Sequence, residues 1–383
     1  MLPALFFSLV FVAPAWWLWR RGQRTWAWVP AGCTVFLLLL TVLLQTDISN
    51  RTQARYDLGT LMDQLNEPSL YQINNLSNPD ELLFLLGTAS RVLHQAAADE
   101  RVRRGAVDTT LYTMAAWVAD RADLRQWKRN TDWDREVFFL AQAGAVLGHY
   151  QLVTGDLAFE GDFRAIGEHL GRRIPRGRYK HLLSRPGEEV FRPADNAAAL
   201  YVVRLYDALY GTDLAPAAHD DWARYLTDEL YYAESRLPCA AFSPTSRCAL
   251  TPTASATGLY VAYRALADPD AAEDDIPWRE WLHYFGQTSL SPFSMQVRPN
   301  MRTGATPRFC DQTAYPLDCN RYEEEIGMWA AAEYGASYTY FRLHATVVLR
   351  RWLYPALDYG ALSPPRRTGA LTRVALRACG EWR

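Results

Sequence analysis

Residues 195–214 read DNAAALYVVRLYDALYGTDL, an apolar run that opens on an acid and an amide and closes on a glycine turn. Asp195 or Asn196 is suited to cap the first turn, and Gly211 can adopt the left-handed conformation that ends a helix. Residues 137–159, VFFLAQAGAVLGHYQLVTGDLAF, follow the same plan and stop at a Gly-Asp turn. The two stretches predict repeated units of a helix followed by a short turn.

The remainder of the chain supports an all-α fold. Further apolar runs have helical periodicity, and alternation of the strand type is nearly absent. Short turns alternate with long irregular loops between these runs, which is typical of stacked antiparallel helix pairs. We therefore expect an α/α barrel, a toroid in which inner helices converge on a central cavity. An open helical solenoid is the alternative, although the sequence has no repeat of fixed period.

Composition excludes one class of partner. The chain has 383 residues and a formal net charge of -2, and its arginines are interspersed with acidic residues. A nucleic-acid-binding surface needs clustered basic residues, so we expect no nucleic-acid partner. Aromatic residues make up 13% of the chain, which suits either a membrane-associated protein or an aromatic-walled pocket.

The amino-terminal region predicts a transmembrane hairpin. Residues 2–19 and 26–44 carry no charge and are close to the length that crosses a bilayer, so the lipid bilayer is an expected partner. A cleaved signal peptide is the competing interpretation of the first stretch. The connecting segment holds Arg20, Arg21 and Arg24, and short basic loops stay on the cytoplasmic side. Both termini and the large domain should then face the periplasmic side of a bacterial inner membrane.

Two closely spaced cysteine pairs agree with this orientation. Cys239 and Cys248 form one pair, Cys310 and Cys319 form the other, and both lie in loops rich in Pro, Ser and Asp. Because disulfides persist in oxidising compartments, we expect two local disulfides outside the cytoplasm. Cross-pairing and free thiols are the alternatives, and the spacing does not match a zinc site. Cys379 is left without a partner.

These features divide the chain into four segments. We expect a transmembrane hairpin at 1–47, a stalk or linker at 48–77, the outward-facing α/α-barrel domain at 78–358, and a C-terminal tail at 359–383. In such a barrel the long loops gather at one end and form the mouth of the cavity. The residues at the helix starts that follow the long loops should therefore face one another.

Three carboxylates at these helix starts are candidate catalytic groups: Asp195, Glu136 and Glu324. A carboxylate at a partly desolvated barrel mouth can have its pKa moved towards neutrality and serve as a general acid or base. Each also has a structural interpretation, since acids cap helices and favour the helix dipole in the first turn. The candidate substrate-binding residues at the same end are Asp132, Gln142, Asn196, Tyr315 and Tyr322.

No cofactor or metal is expected. The sequence contains no phosphate-binding loop, no dinucleotide fingerprint and no nucleophile elbow. The histidines have no metal-ligand spacing, and we expect His149 to be a packed helix residue because its neighbours are apolar.

At 149–163, HYQLVTGDLAFEGDF, and 195–218, DNAAALYVVRLYDALYGTDLAPAA, the chain resembles the linalool dehydratase-isomerase family. The resemblance is clearest over 133–214. It implies an exported α/α barrel that dehydrates and isomerises small terpene alcohols without a cofactor. On these motifs Gln142 stands where the family has a catalytic His and Asp195 where it has a Cys, and the region around Pro186 lacks the family's other Cys.

Three functions follow as hypotheses. The first is a membrane-anchored enzyme that performs acid-base chemistry on a small hydrophobic alcohol, as a lyase or isomerase. The second is a non-catalytic scaffold or accessory subunit, in contact with other membrane-protein subunits or with further copies of itself. The third is a glycan-processing α/α toroid, which needs two carboxylates at glycosidase spacing.

Overall fold

The computed structural model describes residues 2–72, 79–120, 132–268, 270–288, 291–299, 322–353 and 364–383, and these are mostly helical. A single two-stranded antiparallel sheet is found among them, with β1 at Gly286–Thr288 and β2 at Met295–Val297. The α-helices are α1 Leu2–Leu9, α2 Val12–Arg20, α3 Arg24–Asn50, α4 Thr52–Leu65, α5 Pro79–Ala96, α6 Arg104–Asp120, α7 Val137–Thr154, α8 Glu160–Arg176, α9 Pro193–Tyr210, α10 Ala215–Tyr225, α11 Ala254–Ala267, α12 Ile276–Phe285, α13 Glu323–Glu333, α14 Ser337–Leu353 and α15 Pro364–Glu381.

Alternate helices pack into a closed ring. Going around it, α5 contacts α7, then α9, α11, α13 and α15 follow in order, and α15 packs back against α5. The intervening helices α4, α6, α8, α10, α12 and α14 pack outside this ring. Short connections such as Gly155 and Gly211, both with positive φ, follow the carboxyl ends of ring helices. The long connections therefore lead into the amino ends of the ring helices.

Helix α9 begins earlier than its sequence suggests. Pro193 occupies its first turn and Arg192 is the capping residue, without a side-chain cap bond. Asp195 therefore lies inside the first turn rather than at the cap. Gly211 ends the helix in the left-handed conformation, as expected, and its N–H donates to the carbonyl oxygen of Asp207.

Two segments outside the expected barrel boundaries belong to the helical body. The expected stalk at 48–77 contains α4, which packs against α6 and α15. The expected tail at 359–383 contains α15, which completes the ring with buried Leu371, Val374 and Ala378. Burial of α15 is not confined to an apolar stripe, because its polar residues Thr372, Arg377 and Glu381 are buried as well.

The amino-terminal helices form an antiparallel apolar pair. α2 packs along α3, and α1 contacts the far part of α3. The apolar stretch expected to form one helix at 2–19 is divided into α1 and α2. Many large apolar side chains of this pair are exposed, including Trp16, Trp26, Val35 and Leu39. α3 is long and apolar enough to cross a membrane; α7 passes the same test, but 89% of its apolar window is buried inside the protein.

Candidate functional site

The loop before α9 is fastened across the start of α7. The N–H of Leu183 donates to the carbonyl oxygen of Asp134 at 2.8 Å, and the N–H of Val137 donates to that of Leu183 at 3.1 Å. The buried amide of Asn196 accepts from the N–H of Leu182 at 2.9 Å and donates back to its carbonyl oxygen at 3.1 Å. Asn196, a candidate substrate-binding residue, thus holds this loop in place.

Asp195 is a buried acid at this end of the ring. Its side chain is nearly inaccessible, and Oδ2 has no hydrogen-bond partner among the described residues. Burial raises the pKa of Asp195, while Arg185, Arg192 and a hydrogen bond from Ser184 act in the opposite direction. Because desolvation prevails, the fold favours the protonated carboxylic acid more than water does.

The two arginines near Asp195 are paired with other acids. Nε of Arg185 lies 3.0 Å from Oδ2 of Asp80, and Nη2 of Arg192 lies 3.2 Å from Oε2 of Glu188. The positive charges of Arg185 and Arg192 are therefore partly neutralised by Asp80 and Glu188, which limits how far the two arginines stabilise a carboxylate at Asp195.

Glu136 immediately precedes α7, the neighbour of α9 in the ring. Burial raises the pKa of Glu136, and the nearby carboxylates of Asp132 and Asp80 raise it further. Asp132 itself is exposed, and its side chain accepts from the N–H of Asp134 at 3.1 Å. The structure thus gives Asp132 a local capping contact and gives Glu136 the environment of a weakened acid.

The residues at the start of α13 point in different directions. The hydroxyl of Tyr322 donates to the carbonyl oxygen of Gly369 on α15 at 2.9 Å and lies 3.3 Å from Oε1 of Glu81 on α5. Glu324 lies 3.7 Å from Arg350 on the outer helix α14. Tyr322 therefore joins three ring helices, whereas Glu324 lies on the side that faces the outer layer.

One of the two expected disulfides is confirmed, and the other falls outside the described residues. Cys239 and Cys248 are bonded, with their Cα atoms 5.6 Å apart, in the loop between α10 and α11. This pairing excludes cross-pairing of these two cysteines with the second pair. Cys310 and Cys319, like the candidate Tyr315, lie outside the described residues. Cys379 is a free, buried thiol on α15.

A buried polar network that the sequence analysis did not identify fills the deeper part of the ring. Arg91 on α5 forms an ion pair with Glu333 on α13 and donates to the hydroxyl of Tyr201 on α9 at 3.4 Å. That hydroxyl lies 2.7 Å from Nε2 of His149, whose Nδ1 lies 2.9 Å from Oγ of Ser90. All five side chains are buried, so the network links four ring helices through the interior.

The hydrogen-bond directions in this network follow from its donors. Ser90 donates its only hydroxyl proton to the carbonyl oxygen of Gly87 at 2.8 Å, so Nδ1 of His149 donates to Ser90. Nε2 then accepts from Tyr201, which in turn accepts from Arg91. Burial lowers the pKa of His149 well below its usual range, so the imidazole is neutral. His149 is thus buried in its helix as expected, but it also makes two side-chain hydrogen bonds that were not expected.

Gln142 lies beside this network. It is buried on α7, its Oε1 has no hydrogen-bond partner among the described residues, and its side chain bonds with Tyr263 on α11. A Cβ atom on Gly87 of α5 would meet the end of the Gln142 side chain, so the glycine leaves the space in which this amide lies. The sequence offers one indication of this network: Arg91 and Glu333 are each a charged residue within an apolar helix.

Within the described part of the chain, no three His, Cys, Asp or Glu side chains are grouped as metal ligands would be. A comparison with models of protein families finds none that matches this chain, and a search of the curated proteins finds no match either.

Proposed function

We propose that this protein is a membrane-anchored α/α-barrel enzyme that carries out acid-base chemistry on a small hydrophobic alcohol, with Asp195 and Glu136 as its reacting groups. The barrel is supported by the alternation of inner and outer helices and by the contact of α15 with α5. In such a barrel, side chains at the amino ends of the inner helices line the mouth of the cavity. Asp195 and Glu136 lie at two neighbouring ends of this kind.

Anchoring in the bilayer is supported by the apolar helices α1 to α3. Their exposed Trp, Val, Leu and Phe side chains form an apolar surface of the kind that marks a membrane or protein contact. Arg20, Arg21 and Arg24 lie at the far end of the pair, where a cytoplasmic loop would be. The Cys239–Cys248 disulfide favours an oxidising compartment for the helical body, so we assign that body to the periplasmic side of a bacterial inner membrane.

The proposed reaction is a dehydration. Asp195, as the carboxylic acid, donates its proton to the substrate hydroxyl, the carbon–oxygen bond breaks, and water leaves with the bonding electron pair. Glu136, as the carboxylate, then removes a proton from the adjacent carbon, and the alkene forms. A proton must return from Glu136 to Asp195 before the next turnover. No oxidant, reductant or cofactor enters this balance.

The burial of Asp195 is the observation that carries this proposal. A general acid for a neutral alcohol must hold its proton near neutral pH, and desolvation at Asp195 favours that state. Its unpartnered Oδ2 leaves one position through which a substrate hydroxyl can be contacted. Glu324, which lies beside Arg350, is the weaker candidate for a reacting group.

The test is product analysis with the full-length protein in lipid nanodiscs. Tertiary and allylic terpene alcohols are the substrates, and alkenes are detected by gas chromatography of the headspace. We expect Asp195→Asn to lower the rate by roughly 100-fold or more, since general acid catalysis contributes about that much. Glu189→Gln is the matched control, because Glu189 is an exposed acid in the same loop. Equal rates for Asp195→Asn and the unmodified protein would refute the assignment.

A scaffold function is the second candidate, and one observation favours it. The Arg91–Glu333 ion pair and its neighbours occupy the deeper part of the ring interior, as structural packing would. The apolar helices α1 to α3 would then bind other membrane subunits or a second copy of this chain. Purification from native membranes at fixed stoichiometry with other proteins, together with no turnover of any alcohol, would support this function over catalysis.

Glycan processing requires a second carboxylate that acts together with Asp195. Glu188 is the acid whose charge raises the pKa of Asp195, and its carboxylate lies 3.2 Å from Arg192, an ion pair that makes it a poor second catalytic group. The hypothesis is therefore the least supported of the three.

A further inference from the structure

A cleft of about 1170 Å³ lies at the opposite end of the ring from Asp195, where the short turns are. It runs between the end of α3 and the carboxyl ends of α5, α13 and α15. Ile48, Phe341 and Trp382 give it apolar walls, and Arg51 and Glu381 give it charged ones. Apolar walls with a few charged groups are the lining of a site for a small organic ligand.

Glu381 is the unusual group of this cleft. Its side chain is 4% exposed, and neither carboxylate oxygen has a hydrogen-bond partner among the described residues. Oε1 lies 3.8 Å from Nδ1 of His344, which also has no hydrogen-bond partner in the described chain. The separation is too long for a direct hydrogen bond and suits one oxygen atom that bonds to both.

A small recess of about 10 Å³ adjoins this pair of atoms. Asp47, His344 and Glu381 line it, and it shares Ile48, Arg51, Tyr340 and Glu381 with the larger cleft. Its volume accommodates about one oxygen atom of the size of water. The recess therefore has room for the polar end of a molecule whose remainder lies in the cleft.

The protonation states of the recess select the ligand. Nε2 of His344 lies 3.1 Å from Oδ2 of Asp47 and donates to it, because a carboxylate oxygen only accepts. In the tautomer that carries its proton on Nε2, Nδ1 is an acceptor. Burial raises the pKa of Glu381 to about 8, and the charges that face it are the carboxylates of Asp57 and Asp47 and the guanidinium groups of Arg377 and Arg351. The fold therefore favours the protonated carboxyl of Glu381, which can donate a hydrogen bond. A hydroxyl accepts from Glu381 and donates to His344, which an ether, an ammonium or a carboxylate cannot do.

We propose that this cleft binds a single-chain amphipathic alcohol, with its hydroxyl between Glu381 and His344 and its apolar chain along Ile48, Phe341 and Trp382. The exposed apolar surface of α3 adjoins the cleft and offers the alcohol a route from a lipid phase. This binding does not depend on the chemistry proposed for Asp195, which lies at the other end of the ring.

The experiment measures the thermal shift and saturation-transfer NMR signal of the full-length protein in nanodiscs at pH 7. The probes are 1-decanol, its methyl ether, decylamine and decanoic acid. We expect 1-decanol to bind best, Glu381→Leu to weaken it by roughly 10-fold or more, and Glu381→Gln to retain it within about 3-fold, since the amide also donates. Glu100→Leu, in an exposed acid that lines the same cleft, is the matched control and should bind as the unmodified protein does.

The pH dependence separates this geometry from non-specific partitioning. Above pH 8 the ionised Glu381 no longer donates, so 1-decanol binding should weaken in the unmodified protein and stay constant in Glu381→Gln. Equal binding of the alcohol and its methyl ether, stronger binding of decylamine, or undiminished binding in Glu381→Leu would each overturn the proposal and leave the recess to a water molecule or to another ligand. Asp195→Asn should leave 1-decanol binding unchanged, so loss of turnover and loss of binding are distinguishable.

Discussion

Arg91 on α5 and Glu333 on α13 form an ion pair across the ring, and their side chains are only 8% and 6% exposed. Glu333 also accepts from Nε1 of Trp329 at 2.9 Å, and Arg383 lies 3.6 Å from it on the cleft side. The two helices are not neighbours in the ring, since α15 lies between them. The pair therefore links α5 and α13 directly through the interior of the ring.

Removal of one partner should destabilise the protein strongly. Glu333→Gln leaves the Arg91 guanidinium buried without a counter-charge, which costs about 3–5 kcal/mol. Replacement of both, as Arg91→Met with Glu333→Leu, should recover much of that loss because no buried charge remains. Thermal or chemical unfolding in detergent measures both. Glu160→Gln breaks an exposed ion pair with Arg164 and should have no measurable effect; a single Glu333→Gln variant as stable as this control would contradict the packing described.

The stability of the fold should depend on pH through Glu381. The fold raises the pKa of Glu381 from 4.5 to about 8, so ionisation of this carboxyl costs more free energy in the folded than in the unfolded protein. The stability it contributes is complete below pH 4.5 and is lost as pH rises towards 8. Relative to Glu381→Gln, the unmodified protein should lose up to about 1.4 kcal/mol per pH unit in this window. Parallel unfolding curves of the two proteins between pH 5 and 8 would show that Glu381 titrates normally.

The Cys239–Cys248 disulfide should stabilise the loop between α10 and α11. The cysteines are nine residues apart, and closing a loop of that length contributes about 2–3 kcal/mol in the chain-entropy model. Cys239→Ser together with Cys248→Ser should lower the unfolding temperature accordingly, and mass spectrometry after alkylation without reductant should find the native pair unlabelled. Labelling of Cys239 in protein from intact cells would contradict export of this domain.

The proposed topology is testable with inserted epitopes. A tag after Gln23 lies in the basic loop between α2 and α3, and a tag after Asp213 lies in the exposed turn after α9. In spheroplasts of a bacterial host, antibody should reach the tag at Asp213 and reach the tag at Gln23 only after lysis. The opposite pattern, or release of the protein by alkaline carbonate, would exclude the membrane hairpin with this orientation.

Local signals in the sequence predicted much of the helical architecture. The apolar run and Gly211 defined α9 to within a turn, and the spacing of Cys239 and Cys248 indicated their bond. The segment at 359–383 was expected to be a tail, whereas α15 lies between α13 and α5, and this position explains the burial of Leu371. Burial of that kind depends on the assembled ring, which periodicity within one segment does not specify.

The interior network was beyond sequence reasoning for a related reason. Arg91 and Glu333 are 242 residues apart, and neither has a nearby motif that indicates a partner. By contrast, the place of Asp195 after a long loop made it a candidate catalytic residue, because long loops lead into the ring helices; its catalytic role stays a prediction. The burial of Asp195 and the lack of a partner for its Oδ2 among the described residues depend on how the loop at 177–192 packs, which the sequence does not specify.

Exchange of the substrate oxygen with solvent tests the central claim most directly. If Asp195 protonates the hydroxyl and the carbon–oxygen bond breaks reversibly, labelled water can replace the departing water, so the protein should incorporate ¹⁸O into a tertiary terpene alcohol even where the alkene does not accumulate. We predict incorporation by the unmodified protein and by Glu189→Gln, with a rate lower by roughly 100-fold or more in Asp195→Asn. No incorporation above buffer for any alcohol, or an undiminished rate in Asp195→Asn, would contradict the account.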